Sequence, residues 1–171
     1  GGGGGSGTFG DPIPEAVLDD VLAVEGVATA SGDVAGYAQM IGVTTQLNCV
    51  GRTLGALPGV HAMTDVTGFG LAGHLAEICR GSGVGADLEF SALPVLASAH
   101  PLLERGIGPG AIERNWASCS SEIDIDASLP AWAWRLLCDP QTSGGLLVSC
   151  APEAAEPVLT AFAAEGFGSA T

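Results

Sequence analysis

The 171 residues carry a formal net charge of −14, and all five basic residues are arginines. So acidic a chain repels phosphate backbones, and it has no run near the roughly 20 apolar residues of a membrane span, which argues against nucleic-acid and membrane partners. Five scattered cysteines without a Cys-x-x-Cys pair argue against a zinc ribbon and predict buried, reduced thiols. With no signal peptide visible, a cytoplasmic location is expected.

The chain divides into two parts by composition. Residues 1–10 are mostly glycine, which predicts a flexible tail, and a short helix is expected over 15–27. We therefore expect residues 1–32 to be a tail and lead-in, and residues 33–171 to form one domain.

The first helix expected in that domain follows Asp33, which is a suitable cap. Apolar side chains then recur at spacings of three, four and seven, so that one face of the helix is predicted to pack in the core. This stripe comprises Tyr37, Met40, Ile41, Thr44, Leu47 and Leu54.

The remaining elements alternate between strands and helices. Strands are expected over 60–66, 84–90 and 146–149, and helices over 71–80, from Pro94 onward, around Trp132 and Trp134, and over 152–165. Loops are expected over 106–110 and 139–145. Strands separated by helices predict a mixed α/β or α+β fold, with helices layered on a sheet.

The strongest chemical signal is Asp65, which ends a strand and precedes a glycine-rich turn and a helix. Backbone N–H groups at a helix start attract anions. A carboxylate beside them suits Mg²⁺, which prefers one or two carboxylates together with substrate phosphates. The pattern predicts that Asp65 is a metal ligand, with Thr64, Thr67 and Gly68 on the phosphate side.

Other interpretations of this segment remain open. Residues 68–73 match G-x-G-x-x-G, as in a dinucleotide-binding turn, although the strand before it ends in polar residues. The glycines could also serve only close packing of helix and strand. His74 and Glu77, three residues apart, could bind a metal or form hydrogen bonds on the helix.

Two further segments could face an anion. The loop over 139–145 combines a proline and two glycines with the short donors Thr142 and Ser143, although it could be a simple turn. Residues 109–116 could direct Arg114 and Asn115 toward a pocket, or only carry a surface arginine and a packed Trp116.

Taken in order, three sequences resemble selenophosphate synthetase (selenide, water dikinase), within the group of aminoimidazole ribonucleotide synthetase-like enzymes. They are AMTDVTGFGLAGH over 62–74, Pro-Gly followed by Arg114-Asn115-Trp116, and DPQTSGGLL over 139–147. The helix before Asp65, with YAQM and TTQLN, matches as well. The resemblance implies the second of two domains and an enzyme that converts ATP, selenide and water into selenophosphate, AMP and phosphate. It implies that Asp65 is a Mg²⁺ ligand completing a cluster of aspartates in the first domain.

The chain also departs from the family pattern. The glycine-rich segment with the catalytic Cys or selenocysteine and a Lys has no counterpart, so no catalytic residue is assigned here. Ile112 stands where the family usually has Thr, and the last strand of the domain is not expected before Thr171. We therefore expect this chain alone to be inactive, with the N-terminal domain as its partner and dimers forming through that domain. The alternative is an inactive binding or regulatory module that keeps the fold.

Overall fold

The computed structural model describes residues 34–171. The helix expected over 15–27, the glycine-rich tail and the cap Asp33 lie outside the described residues. The described helices and strands, in chain order, are α1 Val34–Thr44, α2 Gly51–Leu54, β1 Val60–Asp65, α3 Gly70–Ser82, α4 Ala99–Glu104, α5 Ala111–Cys119, α6 Ala133–Leu137, β2 Leu146–Cys150 and α7 Ala155–Ala164. Short 3-10 turns occur at Phe90–Ala92, Ser120–Glu122 and Pro152–Ala154.

The strands β1 and β2 pair in an antiparallel sheet. Val60 lies opposite Cys150, and Asp65 opposite Leu146, with an irregularity between Val60 and Ala62. Alternate residues of β1 are half-buried and exposed, as expected for a strand with one face on the core. The end of β1 therefore lies beside the start of β2. The prediction of a single α+β domain is confirmed.

Buried side chains form two clusters, and only the second includes residues of the sheet. The first cluster joins α3, α5 and α6, and the second packs β1 and β2 against α2 and α7. The connection from β1 to α3 therefore runs from one cluster to the other. The first cluster is centred on Ala72, Ile112, Cys119, Leu137 and Cys138, and the second on Val50, Leu54, Val158 and Phe162.

The cysteines only partly follow the prediction of buried thiols. All five are free. Cys119 and Cys138 are buried, and burial raises the pKa of the Cys138 thiol to about 12, which keeps it protonated. Cys49 is exposed, so for that residue the prediction was wrong.

The expected strand over 84–90 is absent from the described part of the chain. Gly83 adopts a left-handed conformation with φ 66° and ends α3, and Val84 is 59% exposed. The chain then reaches a 3-10 turn at Phe90–Ala92, where the Glu89 carboxylate accepts the N–H of Ser91. Strand propensity is not sufficient where no neighbouring strand offers pairing and burial. Pro94 does not open a helix either, since α4 begins at Ala99.

The predicted core stripe was wrong for its first part. Met40 is 39% and Ile41 40% exposed, whereas Leu54 in α2 is fully buried. The helix ends at Thr44, where the hydroxyls of Thr44 and Thr45 bond back to the carbonyls of Met40 and Ile41. The stripe is thus divided between α1, the segment that follows it, and α2. None of the helices within residues 34–171 has the length and apolar character needed to cross a membrane.

Candidate functional site

Asp65 is the last residue of β1 and lies at the end of the sheet where β2 begins. Its side chain is exposed, and the next residue, Val66, donates its N–H to the carbonyl of Gly145 at 2.9 Å. Exposure keeps the carboxylate accessible to water and to ions. Its position matches the expectation from the sequence: a carboxylate at the point where a strand opens into a turn.

Among residues 34–171, the carboxylate of Asp65 has one side-chain hydrogen-bond partner, Asn48. The Nδ2 atom of Asn48 donates to Oδ1 of Asp65 at 2.8 Å and to the carbonyl of Gly144 at 2.9 Å. Sequence reasoning assigned Asn48 no role, because its two partners are 17 and 96 residues away. The one feature of the sequence that could have pointed to Asn48 is its place in the TTQLN segment, which matches the family pattern.

The turn between Asp65 and α3 is held from several sides. The backbone N–H of Thr67 donates to Nε2 of His74 at 3.0 Å. The Thr67 carbonyl accepts the N–H groups of Gly70 and Gln141, each at 3.0 Å. Gly70 has φ +70°, and a Cβ there would come within 2.7 Å of the Cys138 backbone, so this close approach requires glycine. The N–H groups of Thr67 and Gly70 are engaged within the protein, while Gly68 remains exposed.

The arrangement of His74 contradicts the metal-pair alternative. His74 is 7% exposed, and Glu77 is exposed. Because Nε2 accepts the Thr67 N–H, its lone pair is not available to a metal ion. The Nδ1 atom is buried and has no hydrogen-bond partner among the described residues. His74 instead holds the turn that follows Asp65.

The second glycine-rich loop, residues 139–145, lies against this turn. Its contacts are the bonds from Gln141 N–H to Thr67 and from Val66 N–H to Gly145. A Cβ on Gly144 would overlap the carbonyl oxygen of Val66. Ser143 has φ +53°, an uncommon conformation for a residue with a side chain. The loop thus brings Thr142 and Ser143, both exposed, to the same end of the sheet as Asp65.

Asp139 opens this loop and is partly buried. Burial raises the pKa of its carboxyl above the ordinary value, and the hydrogen bond from Gln141 opposes that rise. Nε2 of Gln141 donates to Oδ2 of Asp139 at 2.7 Å. Asp139 is therefore bound within its own loop.

Asn115 reaches the same region from α5. Its Nδ2 atom donates to the carbonyls of Gly68 and Cys138, both at 2.9 Å, and the residue is 8% exposed. The amide thereby connects the turn after Asp65 to the end of α6. Arg114 is exposed and reaches only the Gly110 carbonyl, at 3.5 Å. Thr64 is half-buried beside Asp65 in β1.

The sheet does not support the dinucleotide-binding alternative. That motif belongs to a strand–turn–helix unit of a parallel sheet. In the described part of the chain, β1 instead pairs antiparallel with β2. Gly73, the last glycine of the motif, would bring a Cβ within 2.7 Å of the Phe69 Cβ, which fits a packing role.

Asp65 could supply one ligand to a divalent metal ion. Within residues 34–171, no three His, Cys, Asp or Glu side chains come together to hold a metal ion. Mg²⁺ often uses only one or two protein carboxylates and completes its shell with water and phosphate oxygens. One exposed carboxylate with one oxygen held by an amide suits that role.

Comparison with known proteins places these observations in a family. Residues 44–171 match the family described as AIR synthase related protein, C-terminal domain. The chain is 50% identical over 159 residues to the selenide, water dikinase of Burkholderia pseudomallei (strain K96243), covering 93% of this chain and 44% of that protein. It is 55% identical over 138 residues to that of Paraburkholderia xenovorans (strain LB400), covering 81% and 39%. The chain therefore spans less than half the length of these relatives.

Proposed function

The chain belongs to the family formed by the C-terminal domain of AIR synthase related proteins. We propose that it is the C-terminal part of an ATP-dependent selenophosphate synthetase. In the proposed reaction, ATP, selenide and water give selenophosphate, AMP and phosphate. Residues 33–171 form the contributing domain. The similarity to two selenide, water dikinases supports this assignment.

The observation that carries the proposal is the exposed carboxylate of Asp65 at the junction of two braced glycine-rich segments. Mg²⁺ bound there would neutralise triphosphate oxygens and the charge that develops in phosphoryl transfer. Asp65 would supply one ligand, and aspartates of the N-terminal domain the others. The catalytic Cys or selenocysteine and a Lys belong to that domain in this proposal.

The substrate-facing wall would be built from the two glycine-rich segments and the start of α5. Thr64, Thr67 and Gly68 follow Asp65 closely, and Thr142 and Ser143 offer exposed hydroxyls. Arg114 adds a cation that forms no ion pair among residues 34–171 and is free to turn toward a phosphate. Asn115 contributes by holding the Gly68 carbonyl.

The partners follow from the same proposal. ATP and selenide bind to the complete enzyme, and the N-terminal domain completes the metal cluster and forms the homodimer. Five free cysteines fit a reducing, cytoplasmic compartment.

The test is AMP formation from ATP and selenide by this chain, with and without the N-terminal half of the Burkholderia pseudomallei relative. We expect no AMP from the chain alone and AMP from the pair. Asp65→Asn should lower the rate of the pair on the order of 100-fold, since removal of one electrostatic contributor commonly costs that much. Asp87→Asn, an exposed carboxylate on the irregular segment after α3, is the matched control.

Two results would contradict the proposal. Selenophosphate made by the chain alone would mean that the N-terminal groups are dispensable. A pair with Asp65→Asn that is as active as the Asp87→Asn control would remove Asp65 from the site.

A further inference from the structure

Asn48 connects three segments of the candidate site through one side-chain amide. It precedes α2, and its two hydrogens go to Oδ1 of Asp65 at 2.8 Å and the carbonyl of Gly144 at 2.9 Å. A carboxylate at neutral pH and a carbonyl can only accept hydrogen bonds, so the NH₂ end of the amide must face both. The orientation of this amide is therefore determined by its partners.

The contact restricts Asp65 without competing for the metal. Asp65 is exposed and would otherwise sample several rotamers, whereas Asn48 holds Oδ1 on one side and leaves Oδ2 accessible. A lysine or arginine in the same place would add a positive charge beside the cation. The neutral amide fixes the carboxylate and leaves its negative charge for the metal.

The second hydrogen bond extends this restraint to the loop over 139–145. Gly144 lies next to Ser143, whose backbone is left-handed with φ +53°, and its carbonyl accepts the second hydrogen of Asn48. A shift of the loop would move the Gly144 carbonyl and pull on the amide that holds Asp65. The metal ligand and the loop carrying Thr142 and Ser143 are thus mechanically connected.

We propose that Asn48 is a positioning residue that fixes the Asp65 carboxylate for divalent-metal binding and couples it to the 139–145 loop. This inference rests on the proposed function, because it presupposes that Asp65 binds the metal. It assigns Asn48 no contact with the metal or with the reacting phosphate.

The test is a Mg²⁺ titration of the ¹⁵N,¹³C-labelled 171-residue chain, followed by NMR at the Asp65 carboxyl carbon. NMR detects the weak, millimolar binding expected of a shared site. Asn48→Ala should weaken the apparent affinity about tenfold, the lower range for loss of a group that orients a metal ligand. In an Asp65→Asn background, Asn48→Ala should have no further effect.

Gln46→Ala is the matched control. Gln46 lies two residues away, is exposed, and donates only a long bond of 3.4 Å to the Glu165 carbonyl. Its removal should leave the Mg²⁺ affinity unchanged. The same Mg²⁺ affinity in Asn48→Ala and Gln46→Ala, with binding still dependent on Asp65, would overturn this inference and leave the proposed function intact.

NMR spectra of the wild-type chain during the Mg²⁺ titration cover two further outcomes. If Asn48→Ala does not fold, the side-chain NH₂ signals of Asn48 should shift at the same Mg²⁺ concentrations as the Asp65 carbon, while those of Gln46 stay in place; a static Asn48 signal would overturn the inference. If Mg²⁺ does not affect Asp65 in the wild-type chain, either alone or mixed with the N-terminal half of the Burkholderia pseudomallei relative, metal binding by Asp65 and the positioning role both fail.

Discussion

Nε2 of His74 accepts the backbone N–H of Thr67 at 3.0 Å, so a buried imidazole holds the turn that begins at the candidate metal ligand. His74→Leu replaces the imidazole with an apolar side chain of similar size, but it leaves the Thr67 N–H without its acceptor. We expect a loss of about 1–3 kcal/mol in the free energy of unfolding, measured by urea titration. Glu77→Ala, on the exposed side of the same helix, should stay within about 0.5 kcal/mol of wild type. Equal stability of the two variants would mean that the hydrogen bond contributes nothing.

Substitution by alanine should change the free energy of unfolding differently at the two adjacent glycines of the 139–145 loop, Gly144 and Gly145. A Cβ on Gly144 would overlap the Val66 carbonyl oxygen, whereas a Cβ on Gly145 meets no atom within 4 Å. Gly144→Ala must displace the loop or the turn after β1, and we expect it to cost about 3 kcal/mol, as for overpacked sites. Gly145→Ala should be neutral, or should stabilise the fold by about 0.5 kcal/mol because alanine lowers the conformational entropy of the unfolded chain. Urea titrations of both variants test the difference, and similar losses would show that the loop is not closely packed on β1.

How much of this site could be predicted from the sequence depends on the range of the interactions. The position of Asp65 at a strand end was visible because alternation and the following glycines are local signals. The bond from Asn48 to Asp65 was not, because it exists only once α2 and β1 pack together. The same limit explains the strand predicted over 84–90, where local propensity was present but no pairing strand was.

The prediction for Asn115 also turned on tertiary structure. The sequence left open whether residues 109–116 direct Arg114 and Asn115 toward a pocket or only carry a surface arginine and a packed Trp116. The structure shows both amide hydrogens of Asn115 engaged with the Gly68 and Cys138 carbonyls, a role that the sequence did not suggest. Its role toward phosphate is still a proposal. The bracing role is a direct consequence of the contacts, and it gives a prediction of its own.

Asn115→Ala should destabilise the chain more than a change at the neighbouring Arg114. The variant leaves two carbonyl oxygens without their donor and removes buried volume between α5 and the end of α6, which we expect to cost about 2–4 kcal/mol. Arg114→Ala removes only an exposed side chain with a 3.5 Å contact, so it should change stability by less than about 0.5 kcal/mol. Urea titration of both variants is the measurement. A loss at Arg114 equal to that at Asn115 would contradict the assignment of the amide as the bracing group.

The pH dependence of stability should show opposite signs at two aspartates. Burial raises the pKa of Asp139, so its stabilising contribution is full below the unfolded-state pKa and is lost as pH rises through the folded-state pKa. The N–H and then the hydroxyl of Ser128 lower the pKa of Asp126, so its contribution is full above the unfolded-state pKa and is lost as pH falls through the folded-state pKa. Asp139→Asn should therefore gain stability relative to wild type as pH rises from about 3 to about 6, and Asp126→Asn should lose it.

Urea midpoints of wild type and both variants across this pH range measure the two differences. Asp126 is the matched control because it too is an aspartate in a loop, but its partners favour the charged form whereas burial at Asp139 disfavours it. Opposite slopes would establish that burial outweighs the Gln141 hydrogen bond at Asp139. Parallel slopes would mean that the hydrogen bond dominates, and that Asp139 enters the site as an ordinary ionised carboxylate.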